Sequence, residues 1–280
     1  MLPPTDVDTL ELRVSVPFAD HELLIAELDE RGAQGFVQED ETLVAYFPAD
    51  VWTATDGAWL AEHIDVPFEV RPVAPQNWNA AFEASIQPID VPPFRVQPTW
   101  TQSPLPSADT IVLRIDPKMS FGTGHHASTR MMLSFLSDFA GPDVPRVLDA
   151  GTGTGVLAIA ALALGSESAI GFDIDPWAAD NAPENAALNG CSDRLEIRIG
   201  DIDVVPETGF DLVLANIQRH IILPMMDDLD HRLASEGTLM LAGILTTEAD
   251  QIRDALSARG MIVVREASEK EWWACAARRS

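Results

Sequence analysis

The chain has 280 residues, 46% of them hydrophobic, and carries 18 Lys and Arg against 44 Asp and Glu, a formal net charge of −26. This length and hydrophobic content are those of a folded protein of about two domains, which excludes intrinsic disorder. The charge excludes a general binder of nucleic acid backbones, because phosphate binding depends on Lys and Arg.

Residues 1–72 have the pattern of a small α/β domain. The segment Thr9–Val16 alternates polar and apolar residues like a strand with one buried face, and a helical segment follows it. Two short strand patterns, a second helix around Trp59 and the strand pattern PFEVRPV come next. The order βαββαβ predicts a ferredoxin-like fold.

Residues 73–109 are rich in proline and lack continuous periodicity, which predicts a linker with one short helix near Asn77–Phe82. Residues 110–280 alternate strand and helix patterns, so we expect a mostly parallel sheet with helices on both faces. The last two strand patterns, MIVVREA and WWACAAR, are too close together for a crossover helix. They predict an antiparallel hairpin at the edge of the sheet.

The loop SFGTGHHAST, residues 120–129, precedes the first helix of this second domain. Its small and hydroxyl-bearing residues can lie over a bound ligand. Ser128 or Thr129 as the cap of the following helix is the alternative. The adjacent His125 and His126 do not face one site on a regular element, and no third ligand has a suitable spacing, so we expect no metal site.

The segment RVLDAGTGTG, residues 146–155, predicts a strand that ends in a glycine-rich turn and opens a helix. Glycines let the backbone approach a ligand closely, and free N–H groups at a helix start suit a carboxylate or phosphate. A dinucleotide-binding turn needs a third glycine at the position that Val156 occupies. Gly151 and Gly153 are therefore candidate binding residues, but their spacing opposes NAD. A tight turn without a ligand is the alternative.

Three further strand patterns end in polar residues. Asp173 follows the glycines by about 20 residues, where an acid can accept hydrogen bonds from a ribose, although a polar strand end is the alternative. Asp175 precedes a proline and favours a helix cap. Asp201 is either an adenine-side contact or a loop acid, and Asn216 favours function because a buried amide needs partners. Because ligands bind beyond the carboxyl ends of parallel strands, we expect one shared crevice.

The motifs FGTGHHAST, VLDAGTGTGVLAIAALALG, GFDIDPWA and LANI, in this order and spacing, resemble the PrmA family. These are class I S-adenosylmethionine-dependent methyltransferases that act on L11, a ribosomal protein of the large subunit. The resemblance covers residues 110–280 and extends upstream through NWNAAFEASIQPI. It implies a Rossmann-like fold with a C-terminal hairpin, S-adenosyl-L-methionine as cofactor, and methylation of lysine amines of L11, with its N-terminal amine left open. It also implies that residues 1–72 recognise the substrate.

Carried over by motif, the resemblance places cofactor contacts at Thr129, Gly151, Gly153, Asp173 and Asn216. Gly151 and its neighbours would meet the methionine end and Asp173 the ribose. Thr129 would lie over the cofactor. Asn216 would stand at the mouth toward the acceptor, and we predict that it orients the acceptor amine.

The sequence departs from the family pattern FGTGTHPTT at His125, Ala127 and Ser128. After Asn216 the family commonly has small, apolar residues, whereas this chain has QRH at residues 218–220. We expect these side chains to narrow or recharge the acceptor channel. His220 is a remote candidate for a base.

Several alternatives stay open. A class I methyltransferase could act on another protein or on nucleic acid, although the amine-targeting nucleic-acid enzymes usually place prolines where Ile217 and Gln218 stand here. A non-catalytic scaffold could keep the cofactor pocket, and a dehydrogenase is opposed by the glycine spacing. We expect a cytoplasmic monomer that binds neither nucleic acid nor a membrane, because Cys191 and Cys275 show no metal or redox spacing and no apolar run approaches ~18 residues.

Two lysines, Lys118 and Lys270, stand among the 18 cationic residues. An acidic, lysine-poor surface fits a protein that works in concentrated salt, where the Debye length falls to roughly 3 Å and self-repulsion is screened. The alternative is compositional drift in a genome rich in Arg codons. We expect the melting temperature to rise steeply with KCl, measured by thermal unfolding, whereas a salt-independent melting curve would favour drift.

Overall fold

The computed structural model describes residues 9–29, 31–52, 59–60, 67–73, 87–101, 103–117 and 124–280. The chain divides into two compact units, Met1–Ala80 and Ala81–Ser280. In the described part of the chain, no helix is long and apolar enough to cross a membrane.

The first unit contains a four-stranded antiparallel sheet in the order β2-β3-β1-β4. Its elements are β1 (Thr9–Val14), helix α1 (His21–Asp29), β2 (Gly35–Glu39), β3 (Thr42–Pro48) and β4 (Phe68–Val73). Alternate residues of β1 and β3 meet α1 in a core that includes Leu12, Leu28 and Phe47. The second predicted helix lies largely outside the described residues, so the ferredoxin-like assignment stays a prediction.

A small three-stranded sheet opens the second unit. Strand β5 (Ile89–Val91) is antiparallel to β6 (Phe94–Gln97), which is parallel to β7 (Ile111–Arg114). The structure thus corrects the predicted linker over residues 73–109, because Phe94 and its apolar neighbours are buried in the core of this unit. The prolines around these short strands obscure their pattern in the sequence. The predicted short helix near Asn77–Phe82 lies outside the described residues.

The main sheet has seven strands in the order β10-β9-β8-β11-β12-β14-β13. Their bounds are β8 (Arg146–Ala150), β9 (Ser168–Asp173), β10 (Leu195–Ile199), β11 (Phe210–Asn216), β12 (Leu233–Leu245), β13 (Met261–Glu269) and β14 (Trp272–Arg279). The strands from β8 to β12 are parallel, and β14 is antiparallel to both β12 and β13. The predicted fold class, a mostly parallel sheet with a C-terminal antiparallel hairpin, is confirmed.

Helices cover both faces of this sheet. They are α2 (Ala127–Phe139), α3 (Val156–Ala163), α4 (Pro176–Leu188), α5 (Arg219–Arg232) and α6 (Ala249–Ser257). Val147 and Leu148, successive residues of β8, are both buried, the first in the core with α2 and α3 and the second in the core with α5 and α6. When a strand is covered on both faces, its polar side chains can reach solvent or a ligand only at its ends.

The order of the strands reverses beside β8. The chain goes from β8 outward to β9 and β10, and then crosses back to build β11 and β12 on the other side of β8. Crevices at such a switch point are where ligands bind in open α/β sheets. The carboxyl ends of β8 to β12 therefore define the place where the functional site is expected.

Candidate functional site

A cavity of about 600 Å³ opens where β8, β9 and β11 end. Its lining contains the predicted residues Gly151, Gly153, Asp173, Asp201 and Asn216. The structure therefore brings together five residues that lie as far apart as 151 and 216 in the sequence. This is the crevice that the sequence predicts, since all five follow neighbouring parallel strands.

Close backbone contact shapes one wall of the cavity. Gly151 has a φ of +71°, and a Cβ at this position would overlap the Cγ2 atom of Ile217. Gly243 in β12 has a φ of +80°, and a Cβ there would lie 2.6 Å from the Ile217 carbonyl oxygen. Ile217 is therefore held between two glycines, and a side chain at either glycine would displace it.

Asp173 ties the glycine-rich turn to the end of β9. Its Oδ2 accepts a hydrogen bond from the Gly153 N–H at 2.8 Å, and its Oδ1 accepts one from the Asp175 N–H at 3.0 Å. A carboxylate offers about four lone-pair sites, so roughly half of its capacity stays open. Asp173 can therefore hold the turn and still accept hydrogen bonds from hydroxyl groups in the cavity.

The backbone N–H groups of the turn are already used within the protein. Those of Gly151 and Thr152 donate to the Phe172 carbonyl at 2.9 and 3.1 Å, and that of Gly155 donates to the Thr152 carbonyl at 2.8 Å. With Gly153 bound as above, these four N–H groups of the turn are not free for a carboxylate or phosphate. The predicted role of the N–H groups at the start of α3, from Val156 onward, stays a prediction.

Asp149 lies beneath the turn and was not among the predicted site residues. It is 1% exposed, and its Oδ2 accepts a hydrogen bond from the Thr152 hydroxyl at 2.9 Å. Its Oδ1 has no partner among the described residues. Burial raises the pKa of Asp149 to about 7. The signal in the sequence was an acid inside the otherwise apolar run VLDA, residues 147–150.

Asn185 holds the turn from the side of α4. Its Nδ2 donates to the Thr154 carbonyl at 3.0 Å, and its Oδ1 accepts from the Asp116 N–H at 2.9 Å. Asn181 and Asn189, one turn before and one turn after, hold the carbonyls of neighbouring residues of the same segment. This stripe of asparagines, visible in the sequence at a spacing of four, anchors residues 114–117 against the glycine-rich turn.

Asn216 and Thr129 form a pair at the other side of the cavity. The Asn216 Nδ2 donates to the Thr129 Oγ1 at 3.1 Å, which fixes the orientation of the carboxamide. The Asn216 Oδ1 is buried and has no partner among the described residues. Thr129 is completely buried, so it positions Asn216 in this structure, and its predicted contact with the cofactor stays a prediction.

His126 caps α2. Its Nδ1 accepts from the Ser128 N–H at 3.3 Å, so the alternative that Ser128 or Thr129 is the cap is wrong. The ring stands edge-on to Trp272, with 4.5 Å between the centroids, and both residues line the cavity. Burial, helped by the nearby Arg130, lowers the pKa of His126. The ring is therefore neutral near pH 7, as an accepting Nδ1 requires.

Two acids at the cavity also serve the local fold. Asp175 caps α4 by accepting from the Trp177 N–H at 3.0 Å, as predicted. Asp201 accepts from the Asp203 N–H at 3.0 Å and lines the cavity, so both interpretations of Asp201 remain compatible with its position. Within the described ranges, no group of three or more His, Cys, Asp or Glu could hold a metal ion.

The residues 218–220, which follow Asn216 closely in the sequence, have different surroundings in the structure. Gln218 lines the cavity. Arg219 instead donates from Nε to the Glu248 Oε1 at 2.8 Å, and it lowers the pKa of that carboxyl. His220 is exposed and is absent from the described lining of the cavity. Of the three residues that we expected to alter the acceptor channel, Gln218 is the one in the described lining of the cavity.

Comparison with known proteins gives a consistent result. The family model "Ribosomal protein L11 methyltransferase (PrmA)" matches residues 24–280. A curated ribosomal protein L11 methyltransferase of Chlorobaculum parvum is 35% identical over 289 residues, covering 97% of each chain. One from Porphyromonas gingivalis is 37% identical over 268 residues, covering 90% of this chain and 88% of its own. The crystal structure of a ribosomal protein L11 methylase from Lactobacillus delbrueckii subsp. bulgaricus is similar with a TM-score of 0.64 at 28% identity, covering 69% of this chain and 99% of its own.

Replacement of Gly151 tests the close approach of Ile217. Gly151→Ala should lower the free energy of unfolding by about 2 kcal/mol or more, because the positive φ and the overlap with Ile217 both oppose a side chain. Gly190→Ala is the matched control, since Gly190 has a φ of +67° and nothing within 4 Å of an added Cβ. Equal losses in the two variants, measured by chemical denaturation and calorimetry, would contradict a role for the overlap.

Replacement of Asp149 tests the buried carboxyl. Between its ordinary pKa of 3.8 and about 7, the folded state retains a proton that the unfolded state has lost, so Asp149 makes the protein less stable as the pH rises. Asp149→Asn should remove this dependence, with a difference on the order of 4 kcal/mol at pH 8 relative to pH 4. Denaturant unfolding across this range measures it, with Asp143→Asn at an exposed acid as the control. Parallel pH profiles for Asp149→Asn and the unmodified chain would refute the assignment.

Proposed function

Because the chain belongs to the ribosomal protein L11 methyltransferase (PrmA) family, we propose that it transfers methyl groups from S-adenosylmethionine to lysine side-chain amines of ribosomal protein L11. The N-terminal amine of that protein is a further acceptor for the same chemistry. The observation that carries the proposal is the buried Asn216 Oδ1 on the cavity wall, an acceptor without a partner among the described residues.

The cavity fits S-adenosylmethionine in size and in the chemistry of its wall. Its volume of about 600 Å³ is typical of sites for small molecules. Asp173 has lone pairs left for the ribose hydroxyls, and Ile174, which is 74% exposed, offers an apolar surface for a flat base. Gly151 would face the methionine end. When bound, S-adenosylmethionine supplies a methyl group on a cationic sulfonium.

The acceptor amine has to be neutral to react. From a reference pKa of ~10.4, deprotonation of a lysine at pH 7 costs about 4–5 kcal/mol. Entry into a largely apolar cavity lowers this cost, because burial favours the uncharged amine. Ile217, Ile221 and Met225 supply apolar wall on the side of Asn216. The amine can therefore lose its proton to solvent without a dedicated base, and His220 is not placed to act as one.

Asn216 orients the neutral amine. Its Oδ1 accepts one N–H of the amine, and this leaves the nitrogen lone pair to point along the cavity. Thr129 prevents the carboxamide from turning, because its hydroxyl already takes the Nδ2 hydrogen. Such alignment is the main contribution a protein can make to a displacement reaction with a good leaving group.

The rest of the chain would select the substrate. We assign recognition of the ribosomal protein to residues 1–72 and the chemistry to residues 110–280, to whose core strands β5 and β6 contribute. The net charge of −26 favours encounter with a basic protein and opposes a nucleic acid acceptor. The reaction would take place in the cytoplasm, where ribosomal proteins are made.

The direct test is transfer of tritiated methyl groups from S-adenosylmethionine to purified L11, with ribosomal RNA and unrelated basic proteins as competing acceptors. Label in L11 alone is the expected result. Calorimetry with S-adenosylmethionine and with NAD measures the cofactor preference separately. Label in RNA, or binding of NAD in preference to S-adenosylmethionine, would contradict the proposal.

Asn216→Ala should reduce kcat about a hundredfold, because the amine loses its orienting acceptor. The melting temperature should change little, since Asn216 makes one side-chain hydrogen bond to the described residues. Thr129→Val is the companion variant, which leaves the carboxamide in place but frees it to turn, and it should give an intermediate kcat. Methyl-transfer kinetics and thermal unfolding measure both effects. Unchanged turnover in Asn216→Ala would exclude this role.

A further inference from the structure

We propose that Gln218 contacts the peptide main chain of the acceptor beside the methylated residue, and that it determines specificity for an amine carried on a polypeptide. This inference rests on the proposed function. Gln218 follows Asn216 by two residues, lines the same cavity and is exposed there. It can therefore meet a substrate whose amine has reached Asn216.

The Gln218 carboxamide makes no hydrogen bond to the residues that the structure describes. Gln218 is the residue before α5, with φ −69° and ψ 146°, yet its side chain makes no capping hydrogen bond. Asn and Asp reach the first N–H groups of a helix from this position, whereas Gln is not among the preferred caps. In the described part of the chain the carboxamide has no other hydrogen-bond partner. Its donor and its acceptor are both available to a ligand.

Among the described residues of α5 and the position before it that line the cavity, Gln218 is the polar one. Arg219 is paired with Glu248 at 2.8 Å and also donates to the Gln251 carboxamide at 3.1 Å. The next residues of α5 that line the cavity, Ile221 and Met225, are apolar. A substrate that passes α5 therefore meets one side chain that can both donate and accept hydrogen bonds.

Gln218 follows strand β11, and this position separates it from the proposed nucleoside side of the site. Asp173 ends β9, whereas Asn216 ends β11, and β8 lies between these two strands. Gln218 thus stands on the side where the acceptor amine would be held. A carboxamide matches the C=O and N–H of a peptide group together, which a free amine does not offer. This chemistry favours a lysine within a polypeptide.

Gln218→Leu tests the contact, because it removes the hydrogen bonds while keeping a similar volume. We expect the KM for L11 to rise about fivefold, the usual effect of one lost hydrogen bond, with kcat within twofold of the unmodified enzyme. Gln218→Glu, which can accept but not donate, should give an intermediate KM. Affinity for S-adenosylhomocysteine, measured by calorimetry, should be unchanged in both. His220→Ala, on the same helical turn and away from the cavity lining, is the matched control and should behave like the unmodified chain.

The possible results separate the inference from the function on which it rests. A KM for L11 within twofold of normal in Gln218→Leu would refute the contact, as would a matching rise in His220→Ala. Weaker binding of S-adenosylhomocysteine would also refute it, because Gln218 would then act on the cofactor. If the unmodified chain binds S-adenosylhomocysteine but methylates no L11, the proposed function fails, and this inference fails with it.

Discussion

The site depends on one constraint: side chains of the protein itself supply the hydrogen bonds that hold the glycine-rich turn. Each of three consecutive residues of this turn is bound by one polar side chain, from Asp149, Asp173 and Asn185 respectively. Buried backbone groups need hydrogen-bond partners, and the Gly153 N–H and the Thr154 carbonyl find theirs in Asp173 and Asn185. The turn therefore keeps its shape beside the cavity through contacts within the protein.

In the proposed reaction, the reversal of strand order beside β8 would divide the cavity into a nucleoside side and an acceptor side. Acids end the strands on one side, at Asp173 and Asp201, where they suit hydroxyl and amino groups of a nucleoside. An amide and apolar residues follow β11 on the other side, where they suit an amine that has to be neutral. The separation has a physical reason, because a carboxylate next to the acceptor would stabilise the protonated amine and oppose its reaction.

Much of the fold could be predicted from the sequence because its signals are local. The parallel strands appear as short apolar runs, and the fully apolar sequence of α3 matches a helix buried on nearly every side. The C-terminal hairpin followed from the short separation of β13 and β14. The short strands β5 and β6 did not, because three or four residues between prolines carry no detectable period, and their pairing with β7 depends on contacts distant in sequence.

The sequence by itself determined that Gly151, Gly153, Asp173, Asp201 and Asn216 meet at one cavity, since the carboxyl ends of parallel strands must share one edge. Only the tertiary structure decided what those residues do there. In the structure, Thr129 accepts a hydrogen bond from Asn216, and Arg219 pairs with Glu248. The cap of α2 is His126 and not a serine or threonine. A strand end fixes where a residue lies, but the partner of its side chain is set by elements that only folding brings near. For that reason the roles of Asp149 and Asn185 could be recognised only from the folded structure, in which both bind residues of the glycine-rich turn.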